Sequence, residues 1–474
     1  MDTMEPIPAT ELPSGLAWLN AVPTTLRRQR GRVVALAFVN VGSAWCAQRL
    51  QELALLQQRS GGRLVVWAIH VPRFDCERDP AFVRSRFRRH GLSLPLAHDA
   101  AWQAWQEYQI EAWPTVALID ADGLLRGRIS GLTADLDKRV NALCEQVILP
   151  PDAETRPLPE LDPEPRLPLA FPTGIAATAD RLYVADTGHH RVLECTHGGR
   201  VLRQFGSGAG GLMDGQADHA AFLRPHGLAL LREFLFVADT GNHALRRIHL
   251  RSGQVDTLAG NGREGAPVEG PVRDPHSVSL SQPTGLVATD NALYLAMAGD
   301  NRLWSYDLGR HELKCEAGAG PLEVRDGSGM MAAFAQPAAV ALVQQTLYVA
   351  DAAGSAIRSM QLRNGVVQTL VGSDAWSFGD ADGPREQASL QSPQAVALSP
   401  DAPLLWIADT GNGCLRTLRL GGGMLSTVSM ARRLKAPAGL ALAAGKVWIA
   451  ETDAHAVVCF DPASGELSQV PVDE

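Results

Sequence analysis

Leu182-Tyr183-Val184-Ala185-Asp186-Thr187-Gly188-His189-His190-Arg191 is an apolar run, an acidic stop, a polar turn and a base. The order returns five times. Leu235-Phe236-Val237-Ala238-Asp239-Thr240-Gly241-Asn242-His243, Leu347-Tyr348-Val349-Ala350-Asp351 and Leu405-Trp406-Ile407-Ala408-Asp409-Thr410-Gly411-Asn412 repeat it closely. Leu293-Tyr294-Leu295-Ala296-Met297-Ala298-Gly299 and Val447-Trp448-Ile449-Ala450-Glu451-Thr452 keep the frame, with Met297 and Glu451 in place of Asp. Each copy follows a proline: Pro172, Pro225, Pro283, Pro337, Pro393 and Pro437, spaced 53, 58, 54, 56 and 44 residues apart. β-Branched and aromatic runs between Gly, Asn and Asp turns are strand chemistry. A lone unit of four strands cannot bury both faces, so repeats of this length pack around an axis, and six units make a six-bladed propeller.

The recurrent Asp reads as a turn former that accepts N–H groups of the turn after it, with Gly supplying positive φ. One Asp per blade, with His190 and His243 at matching places, is what a repeated turn produces. No metal site and no cofactor is expected from them. Asp214-Gly215, Asp326-Gly327 and Asp382-Gly383 open longer inserts that end at Pro225, Pro337 and Pro393. These loops share one end of the ring and are the expected surface for an unknown protein partner. Phe222 and Phe334 within them read as packing under the loop.

Upstream, residues 149–168 hold seven prolines among five acidic residues and read as a stiff linker. The expected division is therefore an α/β domain over 1–148, the linker over 149–168 and an all-β propeller over 169–474. In the first domain, Val33–Val39 and Leu64–Ile69 are buried strands, and Ala47–Arg59 and Pro80–His90 are helices. Thr115–Asp120 and Leu124–Ser130 form a hairpin, and a helix over Leu132–Val147 closes the unit. Trp45-Cys46-Ala47-Gln48-Arg49 lies where the first strand gives way to a helix, and Trp113-Pro114-Thr115 lies at a later strand start.

That order of elements, with those two signatures, resembles the thioredoxin fold. The repeats resemble NHL repeats. Together they resemble one family, NHL repeat-containing protein 2 and its bacterial relatives, over nearly the whole chain. The resemblance implies a cis peptide at Pro114 facing the motif cysteine, with Trp45, Trp113 and Pro114 toward substrate. The family usually carries two cysteines in the motif, and here the second position is Arg49. A dithiol enzyme needs the second thiol to release its mixed disulfide. Two functions remain. The first is a cytosolic interaction scaffold with an incomplete Cys-x-x-Arg motif. The second is a monothiol redox enzyme or thiol sensor, with Cys46 activated by the helix terminus and Arg49 stabilising its thiolate.

Composition sets outer limits. The 474 residues carry 43 Lys+Arg against 51 Asp+Glu, a net charge of −8, with 46% hydrophobic content. Global disorder is excluded, and no clustered cationic surface argues for nucleic acid. No apolar run approaches the ~20 residues of a membrane span, and no secretion signal is read at the N-terminus. Seven widely spaced cysteines, none in C-x-x-C, fit the reducing cytosol rather than a disulfide framework.

Overall fold

The computed structural model describes residues 7–133, 135–149, 167–265, 268 and 270–472. The chain divides into two compact units, Met1–Pro165 and Arg166–Glu474. The division falls inside the proline-rich stretch, nearly all of which lies outside the described residues.

The first unit is α/β. Its elements are β1 (Ile7–Pro8), β2 (Ala17–Trp18), β3 (Val33–Val39), α1 (Ala44–Arg59), β4 (Leu64–His70), α2 (Pro80–Arg89), β5 (Leu96–His98), α3 (Gln103–Glu107), β6 (Thr115–Ile119), β7 (Leu124–Ser130) and α4 (Asp135–Glu145). They form one seven-stranded sheet in the order β1-β7-β6-β3-β4-β5-β2. β3 runs parallel to β4 and antiparallel to β6. Every residue of β3 is buried, because both faces of the sheet are covered, and a doubly covered strand reads as a continuous apolar run. Alternate residues feed alternate cores. Val33, Ala35, Ala37 and Val39 join α1 and α4, while Val34, Leu36 and Phe38 join Trp67, Trp105 and Tyr108. The two-residue strands β1 and β2 close both sheet edges. Asn20 follows β2 and clips it to the chain before β5, donating to Leu94 O at 2.9 Å and accepting from Leu96 N at 2.8 Å.

The second unit is a propeller of six antiparallel sheets, each with four consecutive strands, and the fourth and fifth sheets gain a two-residue edge strand, Gly327–Ser328 and Gly383–Pro384. The sixth blade takes its outer strand, Glu466–Val470, from its own repeat. No strand is exchanged to lock the ring among the described residues. Closure rests instead on side chains that also recur at the other junctions. Thr187, Thr240, Thr410 and Thr452 donate to the carbonyls of Pro225, Pro283, Pro437 and Pro172, the first residues of the next blades, at 2.7, 2.5, 2.5 and 2.7 Å. His190, His243 and His455 accept at Nδ1 from Arg224 N, Gln282 N and Phe171 N of the next blade. Asn301 and Ser355 accept the corresponding N–H at two further junctions.

The repeated Asp does something other than the sequence suggests. Asp186, Asp239, Asp351 and Asp409 accept from Ala170 N, Leu223 N, Ala335 N and Gln391 N at 2.7–2.8 Å, two residues before the proline of their own blade. The carboxylate thus pins the entry of the first strand to the end of the second. Gly188, Gly241 and Gly411 do not have positive φ; that backbone state falls on His190, His243 and Gly413 at the end of the turn. The glycines are required by proximity, since a Cβ at Gly241 would lie 2.5 Å from Leu223 O.

Candidate functional site

α1 begins at Ala44, three residues earlier than expected, because Ser43 caps it. The Ser43 side chain accepts the Cys46 N–H at 3.3 Å, which satisfies one of the donors a helix start leaves open. Cys46 is therefore the third residue of the helix, at the inner side of its first turn rather than at its mouth. It is 1% exposed and its thiol accepts the Asn40 N–H at 3.3 Å. Burial pushes this thiol up to about 12, outweighing the Asn40 N–H and the Ser43 hydroxyl, with the Glu77 carboxyl adding to the rise. A reactive cysteine at a helix start needs the opposite shift.

This register moves the gap in the motif. Ser43 and Cys46 are spaced i, i+3, with Ser43 half-buried at the cap and Cys46 closed off behind it. The exposed place of a Cys-x-x-Cys pair is held by Ser43, and Cys46 holds the inner place. Sequence reasoning missed Ser43, although a Ser before an apolar-periodic run is itself a helix-start signal.

Arg49 does not serve the thiol. It lies a further turn in, 1% exposed, and donates to Gly131 O at 2.6 Å and to Glu52. The expectation of a stabilising Arg49 is corrected for a physical reason: its guanidinium is spent on the loop after β7 and on its own helix.

Behind Cys46 lies a buried polar group. Glu77 accepts from Asn40 Nδ2 at 2.6 Å, Arg73 N at 2.7 Å and Phe74 N at 3.0 Å, yet burial still raises its carboxyl above the usual range. His70 Nδ1 accepts from Val41 N at 3.3 Å, and its ring stacks on His98 at 5.2 Å. Burial, then the neighbouring His98, drives His70 down to about 3. The strand-to-helix turn is thus held by neutral imidazole and fixed backbone contacts.

The Trp113–Pro114 peptide is cis. Trp113 is half-buried, packs 4.8 Å from Trp105 and 5.3 Å from Trp102, and touches the apolar cluster that contains Cys46. Trp45 is also half-buried, at the second position of α1.

In the propeller, Phe222 and Phe334 are fully buried, as packing under the loop requires. Their rings carry Arg246 and Arg358 at 4.9 and 5.2 Å. Among the described residues one acidic and thiol grouping, Asp380, Asp409 and Cys414, has spacing a metal could use. The guanidinium of Arg416 already bonds both carboxylates.

Comparison with known proteins agrees with this architecture. The NHL repeat family model matches residues 169–195. Protein SUPPRESSOR OF QUENCHING 1, chloroplastic, of Arabidopsis thaliana is 32% identical over 97% of the chain, which spans 47% of that protein's length. NHL repeat-containing protein 2 of Bos taurus is 29% identical over 98% of the chain, with 71% of its own length covered. The thiol-disulfide oxidoreductase YkuV of Bacillus subtilis (strain 168) is 24% identical over 30% of the chain and 95% of its own length. Among the described residues no helix is long and apolar enough to cross a membrane.

Proposed function

The chain is a thioredoxin-like domain and a six-bladed NHL propeller of the NHL repeat-containing protein 2-like family, and on that premise we propose that it is an interaction scaffold without thiol-disulfide exchange. The observation that carries this reading is Ser43 at the exposed place of the motif, with the Cys46 thiol buried and pushed up to about 12. A hydroxyl cannot form the mixed disulfide, and a buried protonated thiol is a poor nucleophile. The monothiol alternative draws no support from Arg49. What remains usable is surface: the half-buried Trp45 and Trp113, with Pro114 buried behind them, and the loops of the propeller. Seven free cysteines support a reducing compartment such as the cytosol.

Insulin-disulfide reduction, with alkylation of Cys46 across pH, tests the reading. The wild-type chain gives background turnover, and Cys46 alkylates slowly until strongly alkaline pH. Ser43→Cys supplies the missing thiol, and mass spectrometry after mild oxidation shows a disulfide between that introduced thiol and Cys46. Turnover by the wild type that is lost in Cys46→Ser would overturn the proposal.

A further inference from the structure

Two sulfurs meet where the third blade's fourth strand faces the loop that leads to the fourth blade. Cys315 Sγ lies 3.7 Å from Met330 Sδ, although the two residues belong to different elements. Cys315 is in the strand Glu312–Ala317, opposite Trp304. Met330 is in the 3-10 turn Gly329–Met331. Main-chain bonds fix that turn. Gly318 N, just past the strand of Cys315, donates to Gly329 O at 3.2 Å, and Gly329 N donates to Gly365 O at 2.8 Å. Arg325 Nε donates to Met331 O at 3.2 Å, and Gly327–Ser328 pairs with Val366–Val367 of the fourth blade. Met330 and Met331 are left 47% and 71% exposed.

Exposure singles out this thiol. Of the seven cysteines, Cys76 and Cys315 are half-buried and the other five are buried. Asp300 adds an independent sign. Its Oδ2 accepts the Trp304 indole N–H at 3.0 Å, while Oδ1 is buried and has no hydrogen-bond partner among the described residues. Burying such an oxygen is costly unless a donor or a positive charge faces it. Burial pushes the Asp300 carboxyl up to about 7. Burial also pushes the Cys315 thiol up to about 12, against the neighbouring Arg302 guanidinium and with Asp300 adding to the rise. Both groups are therefore shifted toward their protonated forms, which is the shift a bound cation reverses. Arg302 already contributes one positive charge and donates to Gly318 O at 2.9 Å, so the balance suits a monovalent ion.

The ligand atoms narrow the choice of ion. Two sulfurs bound about 2.3 Å from one ion at a tetrahedral angle stand about 3.8 Å apart, close to the 3.7 Å between Cys315 Sγ and Met330 Sδ. Zinc takes thiolate, imidazole and carboxylate, usually four of them. Among the described residues Cys315 belongs to no such cluster of His, Cys, Asp and Glu. Calcium and magnesium take oxygen. A thiolate beside a thioether selects a soft ion, and among biological metals the soft monovalent one is Cu(I).

We propose that Cys315 and Met330 form a binding site for Cu(I), with the Cys315 thiolate and the Met330 thioether as ligands. Binding forms a bond from the ion to Cys315 Sγ and releases the thiol proton to solvent, and the ion keeps its oxidation state. The Met330 sulfur donates a lone pair and loses nothing. Asp300 supplies negative charge from outside the ligand pair. The site goes beyond the scaffold reading above, and neither depends on the other.

The test uses the reduced full chain, Cu(I) supplied as its acetonitrile complex, and bicinchoninate as the competing chelator. Wild type should hold a single equivalent against the chelator, and Cys315→Ser should lose it. Met330→Leu should weaken binding at least about tenfold, the scale on which even partners outside the ligand set count. Met330→Cys returns a sulfur to the same turn and should restore binding. Cys76→Ser removes the other half-buried thiol and should leave the affinity unchanged. Equal uptake by wild type and Cys315→Ser overturns the proposal. So does equal affinity of wild type and Met330→Leu, which would reduce the sulfur pair to a van der Waals contact only. Should Cys315→Ser misfold, X-ray absorption of copper on the wild-type chain reads the ligands directly. Two sulfurs at about 2.3 Å, falling to one in Met330→Leu, support the site. A shell of nitrogen and oxygen, or one unchanged by Met330→Leu, overturns it.

Discussion

At the corner where each blade's second strand meets the incoming loop, the fourth blade buries an ion pair and the third buries a hydrophobic pair. Arg358, fully buried, bonds Asp351 Oδ2 at 3.2 Å and Asp326 Oδ1 at 3.0 Å, and donates to Ala333 O and Arg325 O. The second blade repeats this with Arg246, Asp239 and Asp214. In the third blade Met297 and Trp304 take the places of Asp and Arg, both buried, and the indole N–H donates to Asp300 at 3.0 Å. One ring therefore accepts both solutions. The corner needs filled volume and a tie to the loop, and charge is only one way to supply them. Desolvating two charges consumes much of their attraction, so a well-packed apolar pair is often their equal.

That comparison is broken most severely by taking half of the pair. Arg358→Met leaves the Asp351 carboxyl buried beside an apolar chain and should cost about 3–5 kcal/mol. Asp351→Met with Arg358→Trp, which copies the third blade, should lie closer to wild type than either single change. Equilibrium urea unfolding decides it, and single variants costing under about 1 kcal/mol would mean that the pair behaves as a surface bridge.

A second contrast is between His243 and Asn301, which accept the same inter-blade N–H with different chemistry. Gln282 N donates to His243 Nδ1 at 3.2 Å, and Gln336 N donates to Asn301 Oδ1 at 2.9 Å. Burial, then the Arg224 guanidinium, lowers His243 from about 6.5 to about 4, while the Glu264 carboxylate lies 4.0 Å from Nε2. A protonated imidazole cannot accept at Nδ1. The unfolded chain protonates this histidine near pH 6.5 and the folded chain only near 4, so between them the unfolded state binds more protons. Stability contributed by His243 is present above pH 6.5 and is lost as pH falls toward 4. His243→Asn should remove about 1–2 kcal/mol of the difference in stability between pH 7 and pH 4.5. Parallel pH curves for the two chains would show that the clasp does not titrate.

Repetition made the propeller readable, since one blade's pattern of Pro, apolar run and Ala-Asp is checked five more times along the chain. What escaped reading were the partners. That Asp239 receives the N–H of Leu223, sixteen residues upstream, or that Thr240 reaches Pro283 O in the next blade, depends on strand placement that no local pattern contains. In the first unit the strand order β3, β4, β6, β7 and the helices between them follow from burial periodicity, while the cis bond at Pro114 is implied by the resemblance to the thioredoxin fold. The site was misplaced by three residues. Trp45-Cys46 drew the helix start to itself, while the local chemistry of Ser43, a side-chain oxygen able to cap a helix, set it at Ala44.

The smallest contrast concerns the threonine clasp, which two blades lack. Thr187, Thr240, Thr410 and Thr452 each hold the next blade's proline carbonyl, but the same position is Ala298 in the third blade and Ala352 in the fourth. In the third blade the loss is covered, because Thr284 of the inner strand donates to Pro337 O at 3.0 Å. In the fourth blade the inner strand offers Ala338 at the place of Thr284, so no hydroxyl comes from there. Ala352→Thr should therefore supply a hydrogen bond to Pro393 O and raise stability by about 0.5–1 kcal/mol. Ala298→Thr, aimed at a carbonyl already served, should add nothing. Thermal unfolding of the two variants side by side checks the pair. Equal shifts would mean that threonine acts at this turn through local backbone preference, and that the blades are joined by packing alone.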